Sequence, residues 1–231
     1  MNKIATLPAA KRSTVDEIVD YLYKEITSLR LMPGTRISEP DIAEKFGVSR
    51  QPVRDAFRRL ETMDLILVRP KRATEVRKFS ARGIEKSRFV RAAVEAAVLR
   101  EAAKHCVAAD GFQLDACIAM QQKAQAENDY VGFTKLDYEF HQTICNIAQV
   151  PYAFDVIQAE KAKVDRLCIL SLSKERRMLV LIDDHEAIAR AIKANDPEAA
   201  AAAGMLHLTR LDETIATIRL NNAAYFEDDD A

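Results

Sequence analysis

Three histidines and one aspartate occur on predicted helices in a pattern that suits a metal ion. Asp137 and His141 are four residues apart, so a helix places both side chains on one face. His185 follows a pair of aspartates on a later predicted helix, and His207 lies on the last one. A helix bundle can bring such residues together in its core, where nitrogen and oxygen donors suit Zn²⁺, Ni²⁺ or Mn²⁺. The remaining histidine, His105, has no patterned partner and is not expected to be a ligand.

A second group of polar side chains, nearer the N-terminus, has the spacing of a DNA-recognition helix. The spacing of Ala43, Gly47 and Val53 is that of a helix-turn-helix. In that motif a small residue lets two helices approach, a glycine makes the turn, and a valine packs the second helix on the first. The opposite face of that second helix carries Arg50, Gln51, Arg54 and Arg58. Arginine is the usual bidentate partner of guanine, so we predict DNA contact. The alternative, a solvated face, is disfavoured by the neighbouring basic hairpin at residues 70–73.

Two segments must position these groups. The first is predicted as three helices and a β-hairpin, over about 14–31, 38–46, 49–63, and 65–69 with 74–77. From residue 80 onward the pattern is helical throughout, with helices near 81–108, 111–128, 131–148, 153–173, 175–194 and 197–221. We therefore predict a mainly α protein, with a winged helix-turn-helix domain over residues 1–78 followed by an all-α helical bundle over residues 79–231.

Charge divides at the same boundary. The whole chain has 34 Lys+Arg and 35 Asp+Glu, a formal net charge of -1, which taken alone argues against a nucleic-acid partner. Residues 1–78 hold 16 Lys+Arg and 11 Asp+Glu, a balance of +5, which leaves -6 for the remainder. Such asymmetry favours nucleic-acid contact by the basic segment. The apolar fraction of 48% excludes intrinsic disorder, and the 6 glycines and 7 prolines are too few for a loop-rich all-β fold.

The chain shows no sign of a membrane or secretory route. It has no apolar run of about 18 residues and no apolar signal core near its start, so no membrane partner and a cytoplasmic location are expected. The four cysteines, Cys106, Cys117, Cys145 and Cys168, form no CxxC pair and are predicted to be buried reduced thiols. Cys145, one turn beyond His141, could also be a soft fifth metal ligand, although packing is favoured.

Residues 29–76 read LRLMPGTRISEPDIAEKFGVSRQPVRDAFRRLETMDLILVRPKRATEV. This stretch closely resembles the winged helix-turn-helix of the GntR family of bacterial transcription regulators. The resemblance implies DNA contacts from the recognition helix and from the wing, by Ser49, Arg50, Gln51 and Arg54 and by Lys71 and Arg72. Two departures matter: Pro40 replaces an arginine that touches DNA in many members, and Ala73 replaces the usual glycine of the wing.

The second segment resembles the FCD-type ligand-binding domain that often follows this winged helix. The motifs are DYEFH ending at His141, DRLCILSL, DDHEAIARAIKANDPEAA and the final His207. The resemblance implies a bundle that holds a metal, with Zn²⁺ favoured, through one Asp and three His, which map onto Asp137, His141, His185 and His207. It also implies an effector pocket containing Arg91, with Arg166 as a second candidate. A salt bridge from Arg91 to Glu95 is the alternative role.

Together these features predict an effector-responsive transcription regulator. It is expected to be a homodimer on a near-palindromic double-stranded operator, and the resemblance implies a repressor that is released by its ligand. A metal beside an arginine suits a hydroxy acid, because the oxygens chelate while the guanidinium forks onto the carboxylate. The stretch DRLCILSL followed by the DDH helix resembles regulators of sugar-acid catabolism, which makes aldonates or uronates the first expectation, with other organic acids close behind. Two alternatives remain: a metal-dependent hydrolase or lyase, disfavoured by the absence of a clear general base, and a purely structural metal.

Overall fold

The structure is a computed structural model that describes residues 13–69, 72–168 and 174–227. The chain divides into two compact units, Met1–Phe79 and Ser80–Ala231. Among the described residues, no helix is long and apolar enough to cross a bilayer.

The first unit is a three-helix domain with a small antiparallel sheet. Its elements are α1 (Thr14–Thr27), β1 (Arg36–Ile37), α2 (Glu39–Phe46), α3 (Arg50–Thr62), β2 (Ile66–Leu67) and β3 (Thr74–Val76). β3 lies between β1 and β2 in the sheet. This confirms the winged helix-turn-helix fold. The predicted end of the first helix near Leu31 is wrong, because Leu29 adopts a φ of 58° and closes the helix after Thr27. The two-residue strand β1 was not predicted.

The turn between α2 and α3 has the geometry that its residues require. Gly47 ends α2 in the left-handed region, with a φ of 63°, where a side chain would strain the backbone. The amide of Val48 donates to the carbonyl oxygen of Ala43 at 3.0 Å. Ala43 and Val53 are buried against a core that includes Phe57. The turn therefore holds α3 with one face on the core and the other exposed.

The second unit is the predicted all-helical bundle. Its helices are α4 (Ala81–His105), α5 (Ala108–Ala126), α6 (Tyr130–Ile147), α7 (Ala153–Cys168), α8 (Lys174–Lys193) and α9 (Pro197–Asn221). The predicted continuation of α7 through residues 169–173 lies outside the described residues. α9 packs closely on α4 at Gly204, where a Cβ would overlap the side chain of Leu99. Each of the six helices contributes at least one buried polar side chain to an otherwise apolar core.

The described cysteines are free thiols, but only one is fully buried. Cys145 is in the hydrophobic core, where burial raises the pKa of its thiol to about 12. It packs among apolar side chains. Cys106 and Cys117 are half-buried, which corrects the prediction that they are buried. The side chain of Cys168 lies outside the described residues.

Candidate metal centre and DNA-contacting helix

The structure brings together the four side chains that the sequence singled out as metal ligands. Asp137 and His141 lie on α6, His185 on α8 and His207 on α9, and all four are buried. One ring nitrogen from each histidine lies within 4.8 Å of the others. The Oδ1 atom of Asp137 is 3.3 Å from Nε2 of His185 and 4.0 Å from Nε2 of His141. These residues form the candidate metal centre.

Each histidine has a side-chain oxygen near the ring nitrogen on its outer side. The Nδ1 atom of His141 is 3.3 Å from Glu95 Oε2, and that of His185 is 2.8 Å from Gln121 Oε1. The Nδ1 atom of His207 lies 3.5 Å from Asp184 Oδ2, but neither of these two atoms has a hydrogen-bond partner among the described residues. Phe140 stacks on the ring of His185 with centroids 4.3 Å apart, which fixes the plane of that ring. Metal-binding histidines are held in this way, by an acceptor on the nitrogen that faces away from the ion.

The inner nitrogens provide the test of whether a metal fits. Nε2 of His141 and Nε2 of His185 are buried and have no hydrogen-bond partner in the part of the chain that the structure describes. A buried polar atom without a partner is costly, so it calls for an unseen water or ion. Two such nitrogens beside a carboxylate oxygen match the nitrogen and oxygen donors that Zn²⁺ and related ions take. The residues present therefore fit a divalent metal.

The charge states of the centre also suit a metal. Burial lowers the pKa of His185 and of His207, and neighbouring histidines lower both further, so the imidazoles remain neutral. Burial alone would raise the pKa of Asp137, but Lys161 and His141 outweigh it and lower that pKa below its usual range. Neutral imidazoles and an ionised carboxylate are the forms that bind metal.

A cavity of about 70 Å³ adjoins the centre. Its charged lining consists of three cations, Arg91, Lys161 and Arg177, and two carboxylates, Asp137 and Asp165, and His207 lines it as well. The Nε atom of Arg91 donates to Glu95 Oε1 at 2.8 Å, so Arg91 both forms the alternative salt bridge and lines the cavity. The sequence analysis did not identify Lys161, whose Nζ atom bonds Asp137 Oδ2 at 2.6 Å, or Arg177.

Two other candidates lie elsewhere. Arg166 is buried but is not among the described residues that line this cavity, so the structure does not place this effector candidate there. His105 is exposed, and its Nδ1 atom is 2.9 Å from the carbonyl oxygen of Glu101. It is separate from the histidine cluster, as its lack of a patterned partner suggested.

The predicted DNA-contacting side chains of α3 lie on its exposed face. This set is Arg50, Gln51, Arg54 and Arg58. Ser49 is the N-cap residue, yet its side chain makes no capping hydrogen bond. Two acidic side chains order this face: Glu39 pairs with Arg54 at 3.1 Å, and Asp55 accepts from Gln51 at 3.1 Å and lies 3.5 Å from Arg58. The sequence analysis had assigned no role to Glu39 or Asp55.

The wing between β2 and β3 is basic. Arg72 and Ala73 are exposed, whereas Lys71 lies outside the described residues. Arg72 shares a cleft with Arg36 of β1 and with Arg69. Neither of these two arginines was predicted to contact DNA, and Arg36 comes beside the wing only through the pairing of β1 with β3.

Comparison with known proteins identifies both units. A model of the bacterial regulatory proteins of the gntR family matches residues 14–76, and the FCD domain model matches residues 88–210. The chain is 33% identical over 213 residues to the HTH-type transcriptional repressor RspR of Escherichia coli (strain K12), covering 92% of this chain and 93% of that protein. It is 24% identical to the galactonate operon transcriptional repressor of the same strain, over 82% of this chain and 91% of that protein.

Solved structures show the same fold. E. coli McbR/YncC superposes with a TM-score of 0.70 at 20% identity, over 91% of this chain and 99% of that one. A GntR-type regulator from Rhodococcus sp. RHA1 superposes with a TM-score of 0.70 at 22% identity, over 90% of this chain and 98% of that one. The relatives are transcription regulators rather than enzymes, which removes the hydrolase or lyase alternative. The chain therefore belongs to the GntR family of bacterial transcription regulators and carries an FCD domain at its C-terminal end.

Proposed function

We propose that the protein is a repressor that binds its operator as a homodimer and releases it when a small carboxylate effector enters the cavity beside a divalent metal. The observation that carries the metal and effector part is the centre itself: inner nitrogens without partners, a carboxylate, and an adjoining cavity lined by cations. The identified relatives include repressors, which supports repression rather than activation by this protein.

The metal would be held by Asp137, His141, His185 and His207, with Zn²⁺ favoured over Ni²⁺ and Mn²⁺ because three imidazoles and one carboxylate form a compact nitrogen-rich set. When bound, it would supply a Lewis-acidic partner for effector oxygens. The protein's own part is to orient the rings through their outer acceptors and to exclude water by burial.

The effector would be an organic acid of the hydroxy or sugar-acid class. Arg91 and Lys161 bring positive charge to the cavity, and a guanidinium is suited to bind a carboxylate with two N–H groups. One relative is named for a galactonate operon and another for a D-xylose utilization operon, so related regulators are named for operons of sugar and sugar-acid metabolism. We rank aldonates and uronates first, and assign Arg91 rather than Arg166 to the carboxylate.

On DNA, Ser49, Arg50, Gln51, Arg54 and Arg58 would contact the operator from α3, and Lys71 and Arg72 from the wing. A single unit offers one recognition helix, whereas two copies would place two helices in successive major grooves about 34 Å apart. The homodimer therefore supplies the footprint that a specific operator needs. Bacterial operators lie in the cytoplasm, where the protein would act.

The test measures operator affinity with the metal-loaded protein and with the chelated protein. Fluorescence anisotropy would follow a labelled operator selected from the organism's own intergenic DNA, against D-galactonate, D-gluconate, D-glucuronate and neutral D-xylose. We expect one acid to weaken operator binding at least tenfold, only when metal is present, and D-xylose to have no effect. If metal binding stabilises the bundle but no acid alters operator affinity, the metal is structural and the effector role is wrong.

A purely structural metal is the second candidate, and one observation favours it. The candidate ligands join α6, α8 and α9, so an ion there would tie three helices of the bundle together. Chelation would then lower the melting temperature while operator affinity remained independent of every acid. The same titrations with and without metal therefore distinguish the two candidates.

A further inference from the structure

The side chains on the outer sides of the three histidines differ in what they pair with. Gln121, behind His185, is uncharged. Asp184, behind His207, accepts from Arg210 Nε at 2.8 Å, and that arginine side chain is 46% exposed. Glu95, behind His141, is instead paired with Arg91, which is buried and lines the cavity. Of these three acceptors, Glu95 is the one joined to a cavity-lining cation.

Glu95 uses a different oxygen for each neighbour. Its Oε1 atom accepts from Arg91 Nε at 2.8 Å, and its Oε2 atom lies 3.3 Å from His141 Nδ1. All three residues are no more than 4% exposed. Inside a protein such charge-assisted bonds are strong and polarise one another, so charge drawn towards one oxygen weakens the other as an acceptor.

We propose that Glu95 is a positioning residue that couples Arg91 to the metal ligand His141, so that whatever engages Arg91 in the cavity changes how tightly the metal is held. The proposal rests on the metal centre of the proposed function and adds its regulation. Arg91 draws the charge of Glu95 away from His141. A ligand anion that draws Arg91 towards the cavity returns that charge to the imidazole and strengthens its bond to the metal. By linkage the metal then strengthens ligand binding by the same factor.

The test needs only the metal and a double-mutant cycle. The Zn²⁺ dissociation constant is measured by competition with a fluorescent chelator for the wild type, Glu95→Gln, Arg91→Met and the double variant. Glu95→Gln should weaken Zn²⁺ binding about 10- to 100-fold, the usual loss on replacing the outer partner of a ligating histidine. Arg91→Met should tighten Zn²⁺ binding. The fold-change in the dissociation constant should be at least five times larger when Glu95 is present than in the Glu95→Gln background.

A spectroscopic signature distinguishes coupling from a packing defect. In the Zn²⁺-loaded protein the Nδ1 proton of His141 should shift downfield in Arg91→Met, because an unshared carboxylate is the stronger acceptor. Arg91→Lys retains the charge and should restore values near those of the wild type. The matched control is Arg100→Met, which removes an exposed α4 arginine paired with Glu198 at 2.8 Å and should change neither readout.

The outcomes separate this proposal from the proposed function. If the wild type binds no Zn²⁺, the metal centre fails and the coupling fails with it. Only the coupling is overturned if the wild type binds Zn²⁺ but the double variant's change in dissociation constant equals the product of the two single changes. The same holds if Arg91→Met leaves the chemical shift of the His141 Nδ1 proton unchanged. Should Arg91→Met not fold by circular dichroism, the same cycle is run with Arg91→Lys and Arg91→Gln. In that cycle only Arg91→Gln should lower the Zn²⁺ dissociation constant. Equal effects of Arg91→Lys and Arg91→Gln would overturn the coupling.

Discussion

The pairing of Arg54 with Glu39 leads to a prediction about how the recognition helix is held before it meets DNA. The Arg54 Nε atom lies 3.1 Å from Glu39 Oε2, and the side chains are 51% and 30% exposed. A pair this exposed is worth about 0–1 kcal/mol, whereas a good bidentate base contact is worth about 1–3 kcal/mol. Arg54 can therefore leave Glu39 for a base at a net gain.

These magnitudes set the expected changes in operator affinity. Arg54→Ala should weaken operator binding by about 5- to 160-fold, the equivalent of about 1–3 kcal/mol. Glu39→Gln should strengthen binding by up to about fivefold, because it releases Arg54 and removes a negative charge near the phosphates. In the Arg54→Ala background that gain should shrink, since there is no guanidinium left to release.

Anisotropy titrations on the operator and on a scrambled duplex would check both changes. Arg54→Ala should reduce operator affinity more than scrambled affinity, because a base contact carries sequence information and a phosphate contact does not. The control is Arg30→Ala, an exposed arginine of the same unit paired with Glu25 at 2.7 Å, which should leave both affinities within about twofold. Equal losses on the two duplexes would refute base contact by Arg54, and an unchanged Glu39→Gln variant would refute the holding role of Glu39.

Three further changes test the bundle. Replacing His185 and His207 together by alanine should abolish metal binding and the thermal stabilisation of about 2.7 kcal/mol that metal at 100 times its Kd gives the wild type; full occupancy by elemental analysis would contradict the site. Lys161→Met should cost about 3–5 kcal/mol in urea unfolding because it leaves the buried carboxylate of Asp137 without its cation, whereas the exposed Lys163→Met should cost less than about 1 kcal/mol. Gly204→Ala should cost about 1–3 kcal/mol through overpacking against α4, and an unchanged urea midpoint would show that the helices yield there.

The parts of the fold that follow from local spacing could be predicted. Ala43, Gly47 and Val53 act within one turn between two helices, so their intervals alone determine the geometry. Asp137 and His141 share a face by helix periodicity, which is equally local. The strand β1 could not be predicted, because two residues are too few to show a period of two.

The missed residues depend on how helices rotate against one another. Lys161 pairs with Asp137 across two helices, and Glu39 meets Arg54 only because of the angle between α2 and α3. One local signal existed for Lys161: it follows Ile157 by four residues and precedes Val164 by three, which places a lysine on the apolar face of its helix. A charge at such a position must find a buried partner, and it therefore points to a polar centre.

Net charge predicts a partner only for side chains that face solvent. The acidic balance of residues 79–231 includes exposed carboxylates such as Asp115, Glu127 and Glu198. The cavity beside the candidate metal centre is lined instead by two buried cations, Arg91 and Lys161, which pair with the buried carboxylates of Glu95 and Asp137. Exposed carboxylates repel phosphate, whereas a cation held in a small cavity attracts an anion with little screening. An acidic domain can thus repel DNA phosphates and still offer buried cations to the acid proposed as its ligand, because its two charge patterns occupy different dielectric surroundings.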